Sequence, residues 1–225
     1  MALDARLVAA LQGQLRHREA LLRSGARRVG WKLGMGKRER IGDHIAIGYL
    51  TTATLIEPGG RFSLAPGRDH ELHVDTELCV EFANDVDRGA DAEAIRAAIG
   101  HCWPALEIVD LAPRAGEPES IVVDNVFHRA VAVGDEPVPL ACAEQVTTYV
   151  NGECADREPW PVDVPDRLVA AAALLAAVNE RLTAGDRVIT GSISQLPLAA
   201  GNTVRGQFGS HASVVVRATA TTTPP

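Results

Sequence analysis

The clearest pattern in the chain is an alternation of apolar and polar residues across positions 72–82, in a run bounded by turn-prone sequence. A period of two predicts a β-strand, because successive side chains of a strand point to opposite faces. One face would be apolar and carry Leu72, Val74, Leu78, Val80 and Phe82. The other face would carry His73, Asp75, Glu77, Cys79 and Glu81. Asp75 and Glu77 would therefore lie on the same face, roughly 7 Å apart along the strand.

A second strand-like run, residues 105–110, places a single carboxylate, Glu107, among apolar neighbours. A carboxylate is almost never fully buried without a partner. Asp75 and Glu77 alone are less informative, since a D-x-E pair on a strand is more often a solvated face than a pair of ligands. The three carboxylates together are nevertheless candidates for one site.

Convergence of these carboxylates would require a positive charge or shared protons. Each close pair would repel by about 4 kcal/mol at a separation of about 4 Å and an effective dielectric constant of about 20. An all-oxygen ligand set favours a hard divalent ion such as Mg²⁺, with water completing the coordination shell. Zinc, by contrast, prefers histidine and cysteine.

Lys32 lies in another segment with candidate chemistry, residues 29–36, where it stands between small glycines. Glycine inside a strand commonly marks the close approach of a ligand or of another backbone. From this segment alone, a surface lysine between turn glycines is the favoured interpretation. On a chain with a carboxylate cluster, the lysine could instead bind a substrate carboxylate or, with a lowered pKa, move a proton.

The remaining pattern predicts a few helices among many short strands. Leucine at every fourth position near the N terminus predicts an amphipathic helix that ends near Gly25 and packs in the core or against a second copy of the chain. These leucines are Leu3, Leu7, Leu11 and Leu15. Further helices are expected at residues 91–99 and 166–181, and Asn151-Gly152 after the run 146–150 predicts a hairpin.

Length and composition agree with one compact enzyme domain. A chain of 225 residues can bury about 70% of its unfolded surface and needs no disulfides. Its four cysteines have no C-x-x-C spacing, which argues against a zinc ribbon. With a net charge of −7 and no basic cluster among aromatics, nucleic-acid binding is not expected. The sequence shows no signal peptide and no apolar run of spanning length, so we expect a cytoplasmic protein with no membrane partner.

Several short motifs follow one another in a characteristic order. Residues 30–34 are similar to G-x-K-[ILV]-G, and residues 74–78 to an E-x-E strand with Asp75 in the first place. Residues 104–110 match P-A-x-E-I-x-D. Further along, residues 123–125 are similar to A-D-N, residues 182–192 match L-x-x-G-D-x-[IV]-x-T-G-[ST], and residues 200–204 resemble A-G-D-x-V. As an ordered set spanning residues 30–216, they resemble the fumarylacetoacetate hydrolase superfamily, particularly its branch of 2-keto-4-pentenoate hydratases and 4-oxalocrotonate decarboxylases.

The resemblance implies a predominantly β, α+β fold: a mixed β-roll with a few helices, like the C-terminal domain of fumarylacetoacetate hydrolase. We expect a helical segment at residues 1–28, a catalytic domain at 29–217 and, from its low-complexity composition, a disordered tail at 218–225. Mg²⁺ or Mn²⁺ would be held by Asp75, Glu77 and Glu107, with Lys32 as the catalytic residue. The substrate would contact Leu33, Asn125, His128, Gly191 and Ser192.

Some of these substrate contacts also have simpler interpretations from the residues alone. Gly191 and Ser192 would form an ordinary turn at the end of a strand, although their N–H groups and hydroxyl suit a carboxylate or oxyanion. Asn125 is a common turn former. His128 could point into the site in place of the family's serine, but a lone histidine is more often structural.

By this resemblance the protein would be a lyase, a hydratase or decarboxylase, that acts on a small 2-keto acid through a metal-bound enolate. Phe127 lies where those hydratases carry small and hydroxyl side chains, and it cannot hold a water, which weakens the hydratase alternative. A C–C bond hydrolase of the acylpyruvate or fumarylacetoacetate type is the runner-up, and a non-catalytic binding or assembly subunit is a further alternative. We also expect a homodimer or larger homo-oligomer, because strand edges of such domains need covering.

Overall fold

The structure, a computed structural model, describes residues 4–41, 43–64, 70–112 and 117–221. The helices are α1 (Ala5–Arg23), α2 (Ala92–Ala98), α3 (Pro118–Val123) and α4 (Val164–Ala177). The strands are β1 (Arg28–Gly34), β2 (Ala46–Thr51), β3 (Leu55–Ile56), β4 (Arg61–Leu64), β5 (Leu72–Phe82), β6 (Ile99–Asp110), β7 (His128–Val133), β8 (Gln145–Val150), β9 (Glu153–Pro159), β10 (Arg187–Ile189), β11 (Ser194–Pro197), β12 (Thr203–Phe208) and β13 (Ala212–Ala220). The predicted α+β, predominantly β fold is confirmed.

Two sheets form the body of the domain. Within the described ranges, an eight-stranded sheet has the order β2-β1-β10-β5-β6-β7-β3, and β11 also pairs with β5. The second sheet has five strands in the order β4-β13-β12-β8-β9. The long strands β5 and β6 pair antiparallel at the centre of the larger sheet and place Asp75 directly opposite Glu107.

The larger sheet is curled, so that one face encloses a small interior. Strand register assigns residues to this face: Cys79 on β5 lies opposite Ile189 on β10, which in turn lies opposite Lys32 on β1. A separate apolar cluster fills part of the interior and comprises Leu50, Cys79, Ala105, Val131, Val133 and Ile189. Because residues i and i+2 of a strand share a face, Asp75 and Glu77 point into the same interior as Cys79.

The other face of β5 packs partly against the five-stranded sheet. Val74 and Leu106 of the larger sheet share a core cluster with Val204 of β12. The hydroxyls of Thr76 and Thr148 form a hydrogen bond of 2.7 Å across the junction of the sheets. The buried polar groups at this junction therefore satisfy each other, as burial requires.

Helix α1 packs on its own chain, against β2 and α3. Leu7 and Leu11 are buried in the main core, so these leucines pack against residues of the same chain. Leu3 lies outside the described residues. Asp4 caps the helix by accepting a hydrogen bond from the Arg6 N–H. No helix in the described part of the chain is long and apolar enough to cross a membrane. The homo-oligomer stays a prediction, without support from this leucine repeat.

The other predicted elements are present with small shifts. Helix α2 matches the helix expected at residues 91–99. Helix α4 starts two residues before the predicted 166–181, because Pro165 fits the first turn of a helix, and it ends four residues earlier. Asn151 and Gly152 both have positive φ angles and join β8 to β9 as the predicted hairpin.

The disordered tail predicted at residues 218–225 begins too early. Ala218, Thr219 and Ala220 belong to β13 and pair in parallel with β4, so backbone hydrogen bonding outweighs their low-complexity composition. Residues 222–225 lie outside the described residues. The boundaries of the N-terminal segment and of the catalytic domain stay predictions.

Gly30 allows β1 to lie beside β10. Its φ angle is +150°, and a Cβ atom at this position would overlap the carbonyl oxygen of Arg187. Strand β10 is only three residues long and pairs with β1 along its whole length. The close approach of these strands therefore excludes a side chain at Gly30.

We expect Gly30→Ala to lower the free energy of unfolding by more than about 3 kcal/mol, at the upper end for single substitutions, because β1 and β10 must separate. Gly152→Ala is the control, since Gly152 has a φ angle of +89° but no atom within 4 Å of an added Cβ. Its cost should be about 1–2 kcal/mol. Denaturant unfolding measures both, and equal costs would contradict the steric role of Gly30.

Candidate metal centre and active site

Three buried carboxylates meet inside the curled sheet. Asp75 and Glu77 come from β5, and Glu107 comes from the position on β6 directly opposite Asp75. One oxygen of each carboxylate lies within 4.8 Å of the others. Their exposed fractions are 5%, 1% and 0%, respectively, so solvent cannot screen their mutual repulsion. The structure thus brings together the carboxylates that the sequence singled out.

Lys32 supplies a positive charge to this cluster. Its Nζ lies 3.0 Å from Glu107 Oε2 and donates a hydrogen bond of 2.9 Å to the carbonyl oxygen of Val126. Lys32 stands on β1, three steps from β6 in the order of the sheet. In a flat sheet these strands would be about 14 Å apart. The ion pair therefore depends on the curl of the sheet.

Asp75 and Glu77 are each oriented by a neighbour that binds one carboxylate oxygen. The Gly191 N–H donates a hydrogen bond of 2.8 Å to Glu77 Oε2. Gln195 Nε2 donates one of 3.1 Å to Asp75 Oδ2. Asp75 Oδ1 is buried and has no hydrogen-bond partner among the described residues.

His128 orients Glu107 from the side opposite Lys32. Its Nδ1 lies 2.7 Å from Glu107 Oε1, and its Nε2 lies 2.9 Å from Thr54 Oγ1. Glu107 Oε2 forms an ion pair with Lys32, but the angle between the two groups is not that of a hydrogen bond. Both imidazole nitrogens are thus engaged, and the Glu107 oxygen that faces Lys32 keeps lone pairs available.

Burial and mutual charge control the protonation of the cluster. Burial raises the pKa of Asp75 to about 7, and the charge of Glu107 adds to this effect. Burial and Glu107 likewise raise the pKa of Glu77 well above its usual range. Burial alone would lower the pKa of Lys32, but the charges of Glu107 and Glu77 outweigh it and raise that pKa. Burial would raise the pKa of Glu107, yet Lys32 and His128 lower it overall.

The donor set fits a hard divalent cation. When all are ionised, the three carboxylates and Lys32 leave two negative charges, which one divalent ion would neutralise. Asp75 Oδ1 and Glu107 Oε2 are buried oxygens that lack aligned donors among the described groups. Oxygen ligands favour Mg²⁺ or Mn²⁺ over zinc. Asp75, Glu77 and Glu107 are therefore the residues that could hold such an ion.

An open cavity of about 310 Å³ leads from the surface to this cluster. Lys32, Asp75 and Glu77 line its polar part. Apolar side chains such as Met35 and Phe127 line the rest, together with the cationic residues Lys37 and Arg38 and with Glu39. The cavity therefore offers a small polar ligand both charged and apolar contacts.

Two of the predicted substrate-contact residues, Leu33 and Ser192, line this cavity. Gly191 does not present a free donor, because its N–H is bonded to Glu77. His128 lies behind Glu107 and is not among the residues that line the cavity. The structure thus places Gly191 and His128 as supports of the carboxylates.

Asn125 is also engaged by the backbone. Its Oδ1 accepts a hydrogen bond of 2.7 Å from the Tyr49 N–H, and its Nδ2 donates one of 3.0 Å to the Tyr49 carbonyl oxygen. Asn125, Val126 and Phe127 have positive φ angles of 61°, 53° and 64°. Such angles cost non-glycine residues of order 1–3 kcal/mol each. The turn directs the Val126 carbonyl at Lys32 and the Phe127 ring at the cavity.

Three cavity residues, Gln195, Arg38 and Glu39, were missed by the sequence analysis. Gln195 pairs with Asp75 across β11 and β5. The sequence Ser-Gln-Leu-Pro at 194–197 has no period of two, so no local pattern indicated that strand. Arg38 lies over the Phe127 ring at 5.1 Å. Glu39 is only 7% exposed and accepts a hydrogen bond of 2.6 Å from the Gly36 N–H. Arg38 and Glu39 belong to an irregular segment, where no periodicity could indicate them.

Solved structures of other proteins share this fold. No protein-family model matches the chain, and no curated protein sequence matches it significantly. Among solved structures, 4-oxalocrotonate decarboxylase from Pseudomonas putida, complexed with magnesium and adipate, is 22% identical with a TM-score of 0.83, covering 94% of this chain and 86% of that one. The protein has the fumarylacetoacetate hydrolase fold.

Hydrolases share this fold more distantly. Fumarylpyruvate hydrolase from Pseudomonas aeruginosa, in complex with Mn²⁺ and pyruvate, is 17% identical with a TM-score of 0.63, covering 87% of this chain and 90% of that one. Maleylpyruvate hydrolase from Sphingobium is 15% identical with a TM-score of 0.61, covering 96% of this chain and 85% of that one. The fold expected from the motif resemblance is thus confirmed.

We expect one Mg²⁺ or Mn²⁺ to bind per chain, and Glu77→Gln to weaken this binding by at least about tenfold, because a ligand charge is lost. Glu81→Gln is the matched control. Glu81 lies on the same strand face but forms an ion pair of 2.7 Å with Arg187. Calorimetric titration measures both variants. Unchanged affinity in Glu77→Gln, or an equal loss in Glu81→Gln, would contradict the assignment of the ligands.

We also expect metal affinity to fall as pH falls through about 7. Asp75, whose pKa is raised to about 7, is ionised above that pH and protonated below it. A metal ion must displace this proton and any proton on Glu77, whose pKa is also raised, so affinity should drop by at least about tenfold per pH unit in the acidic range. Titrations of Mn²⁺ at several pH values between about 6 and 8 measure the effect. An affinity that is constant across this range would contradict the raised pKa.

Proposed function

We propose that the protein is a divalent-metal-dependent enzyme of the fumarylacetoacetate hydrolase superfamily that acts on a small 2-keto acid, with lyase chemistry of the decarboxylase or hydratase type. The observation that carries this proposal is the buried cluster of three carboxylates with an ion-paired lysine at one end of an open cavity. Structures of similar fold that contain magnesium, calcium or Mn²⁺ support a divalent cation.

Held by Asp75, Glu77 and Glu107, the ion would polarise the keto carbonyl of the substrate and stabilise the negative charge that develops on its oxygen, an effect of several kcal/mol. The proton chemistry belongs to Lys32. Its raised pKa keeps it an ammonium group, and its contacts with Glu107 and Val126 fix its position. Lys32 is thus placed as a general acid that delivers a proton to the substrate carbon beside the carbonyl, and the neutral amine that this leaves can take a proton back from the same carbon, which completes an exchange.

The mouth of the cavity supports an anionic substrate. Lys37 and Arg38 both line the cavity, so they bring positive charge to a site that otherwise carries carboxylates. Arg38 also donates a hydrogen bond of 3.0 Å to the Leu111 carbonyl oxygen, which restrains its side chain. Lys37 and Arg38 favour a substrate with a carboxylate, as a 2-keto acid has.

The choice between reaction types rests on Phe127 and Glu39. Phe127 is an apolar wall of the cavity and cannot polarise water, which favours decarboxylation over hydration. Glu39 specifically favours the second candidate, a C–C bond hydrolase, because a nearly buried carboxylate in the cavity could activate a water molecule. A non-catalytic binding subunit is less well supported, since it would not need Lys32 and the carboxylates to be held so closely.

Deuterium exchange at C3 of pyruvate or oxaloacetate, with Mg²⁺ present, tests the proposal. We expect exchange with wild-type protein, and a loss of roughly 10²–10⁴-fold in Lys32→Ala if Lys32 is the general acid or base. Metal affinity should persist or rise in Lys32→Ala, because a competing positive charge is removed. Methylamine should restore part of the exchange by entering the space left by the side chain.

The outcomes separate the alternatives. Wild-type exchange rates in Lys32→Ala would remove Lys32 from the mechanism, and no exchange by the wild type on any keto acid would count against an enzyme of this class. Product identification then distinguishes release of CO₂ from cleavage into two acids. If the wild type cleaves a keto acid into two acids and Glu39→Gln does not, the hydrolase would be favoured.

A further inference from the structure

Outside the carboxylate site, a cysteine, a glutamate and a histidine meet at one end of the five-stranded sheet. Cys142 and Glu144 precede β8, and His211 lies in the turn between β12 and β13. Their ligand atoms all lie within 4.8 Å of one another. The side chains of His211 and Glu144 are 36% and 43% exposed. The cluster is therefore open to solvent, and none of its members lines the cavity of the carboxylate site.

Two of the three distances within this cluster match edges of a tetrahedral zinc site. His211 Nε2 lies 3.5 Å from Cys142 Sγ and 3.4 Å from Glu144 Oε1. For Zn–S bonds of about 2.3 Å and Zn–N and Zn–O bonds of about 2.05 Å, a tetrahedral angle puts sulfur and nitrogen about 3.6 Å apart, and nitrogen and oxygen about 3.3 Å apart. An ion could thus bind with little movement of these ligands.

Neighbouring groups hold the ligands in this arrangement. Ser210 donates two hydrogen bonds to Glu144, from its N–H to Oε2 at 2.6 Å and from its hydroxyl to Oε1 at 2.9 Å. The Glu144 N–H donates a hydrogen bond of 3.4 Å to Cys142 Sγ, which orients the sulfur. The Trp160 ring contacts the His211 ring edge-on. Metal sites commonly orient their ligands through such neighbours.

We propose that Cys142, Glu144 and His211 bind one Zn²⁺, with the fourth position open to water. Binding releases the thiol proton, so that thiolate and carboxylate balance the two charges of the ion while His211 stays neutral. Sulfur and nitrogen ligands select zinc over the hard ions suited to the carboxylate site. The ion ties the segment before β8 to the β12–β13 turn, which are 69 residues apart in sequence.

Titration of the metal-free full-length protein with Co²⁺ tests this proposal, because a thiolate ligand produces a sulfur-to-cobalt charge-transfer band that carboxylates cannot. We expect the band to reach the absorbance of one thiolate-bound Co²⁺ per chain in the wild type, however much Co²⁺ the carboxylates also bind, and to disappear in Cys142→Ser. In His211→Ala, half-saturation should need at least about tenfold more Co²⁺. Cys154→Ser is the matched control, because Cys154 is an exposed cysteine outside the cluster.

A second measurement uses Zn²⁺ itself and leaves the cluster intact. In Glu77→Gln protein, which weakens the carboxylate site, Zn²⁺ should protect Cys142 from alkylation by iodoacetamide and leave Cys154 reactive, as mapped by mass spectrometry. Because this measurement keeps Cys142 in place, it tests zinc binding at the cluster even if Cys142→Ser does not fold. Equal alkylation of Cys142 with and without saturating Zn²⁺, or a cobalt band that disappears with Cys154, would overturn the proposal.

Discussion

The burial of like charges in one small volume is the constraint on which the site depends. Each close pair of carboxylates would repel by several kcal/mol at the effective dielectric constant of a protein. Three contacts offset part of this repulsion. Lys32 forms an ion pair with Glu107, His128 forms a hydrogen bond with Glu107, and the Gly191 N–H donates a hydrogen bond to Glu77. Two negative charges remain when all three carboxylates are ionised. Protons on Asp75 and Glu77, or a divalent ion, can neutralise them.

The curl of the larger sheet is what makes this compensation possible. Lys32 lies on β1 and Glu107 on β6, and two strands, β10 and β5, lie between them in the sheet. Their side chains therefore meet only across the enclosed face. Small residues permit the approach: a Cβ at Gly48 would come within 2.7 Å of the Lys32 side chain, and one at Gly34 within 2.5 Å of Val126. The glycines around Lys32 are therefore explained by packing of the sheet around the lysine rather than by a surface turn.

The sequence indicated the carboxylates because each had a local signal: alternation for Asp75 and Glu77, and apolar flanks for Glu107. Their meeting point depends on the antiparallel register of β5 and β6, which no local pattern contains. Gly191 and His128 were assigned to the substrate because motif position does not reveal where a donor points, and the structure turns both towards carboxylates. Lys37, Arg38 and Glu39 line the cavity from an irregular segment, so no helix or strand period in the sequence indicated them.

The charge of the cluster also limits the ligand that the cavity can accept. With a divalent ion bound, the carboxylates and Lys32 would be balanced, so the carboxylate of an incoming substrate would need positive charge from elsewhere. Lys37 and Arg38 supply it from the same irregular segment that carries Glu39. This segment therefore holds both the cations that would attract a keto acid and the carboxylate that could direct water at it. Under the proposed function, selection between decarboxylation and hydrolysis would then depend on the cavity wall more than on the metal ligands, since one fold can serve different chemistries through the residues placed around the same site.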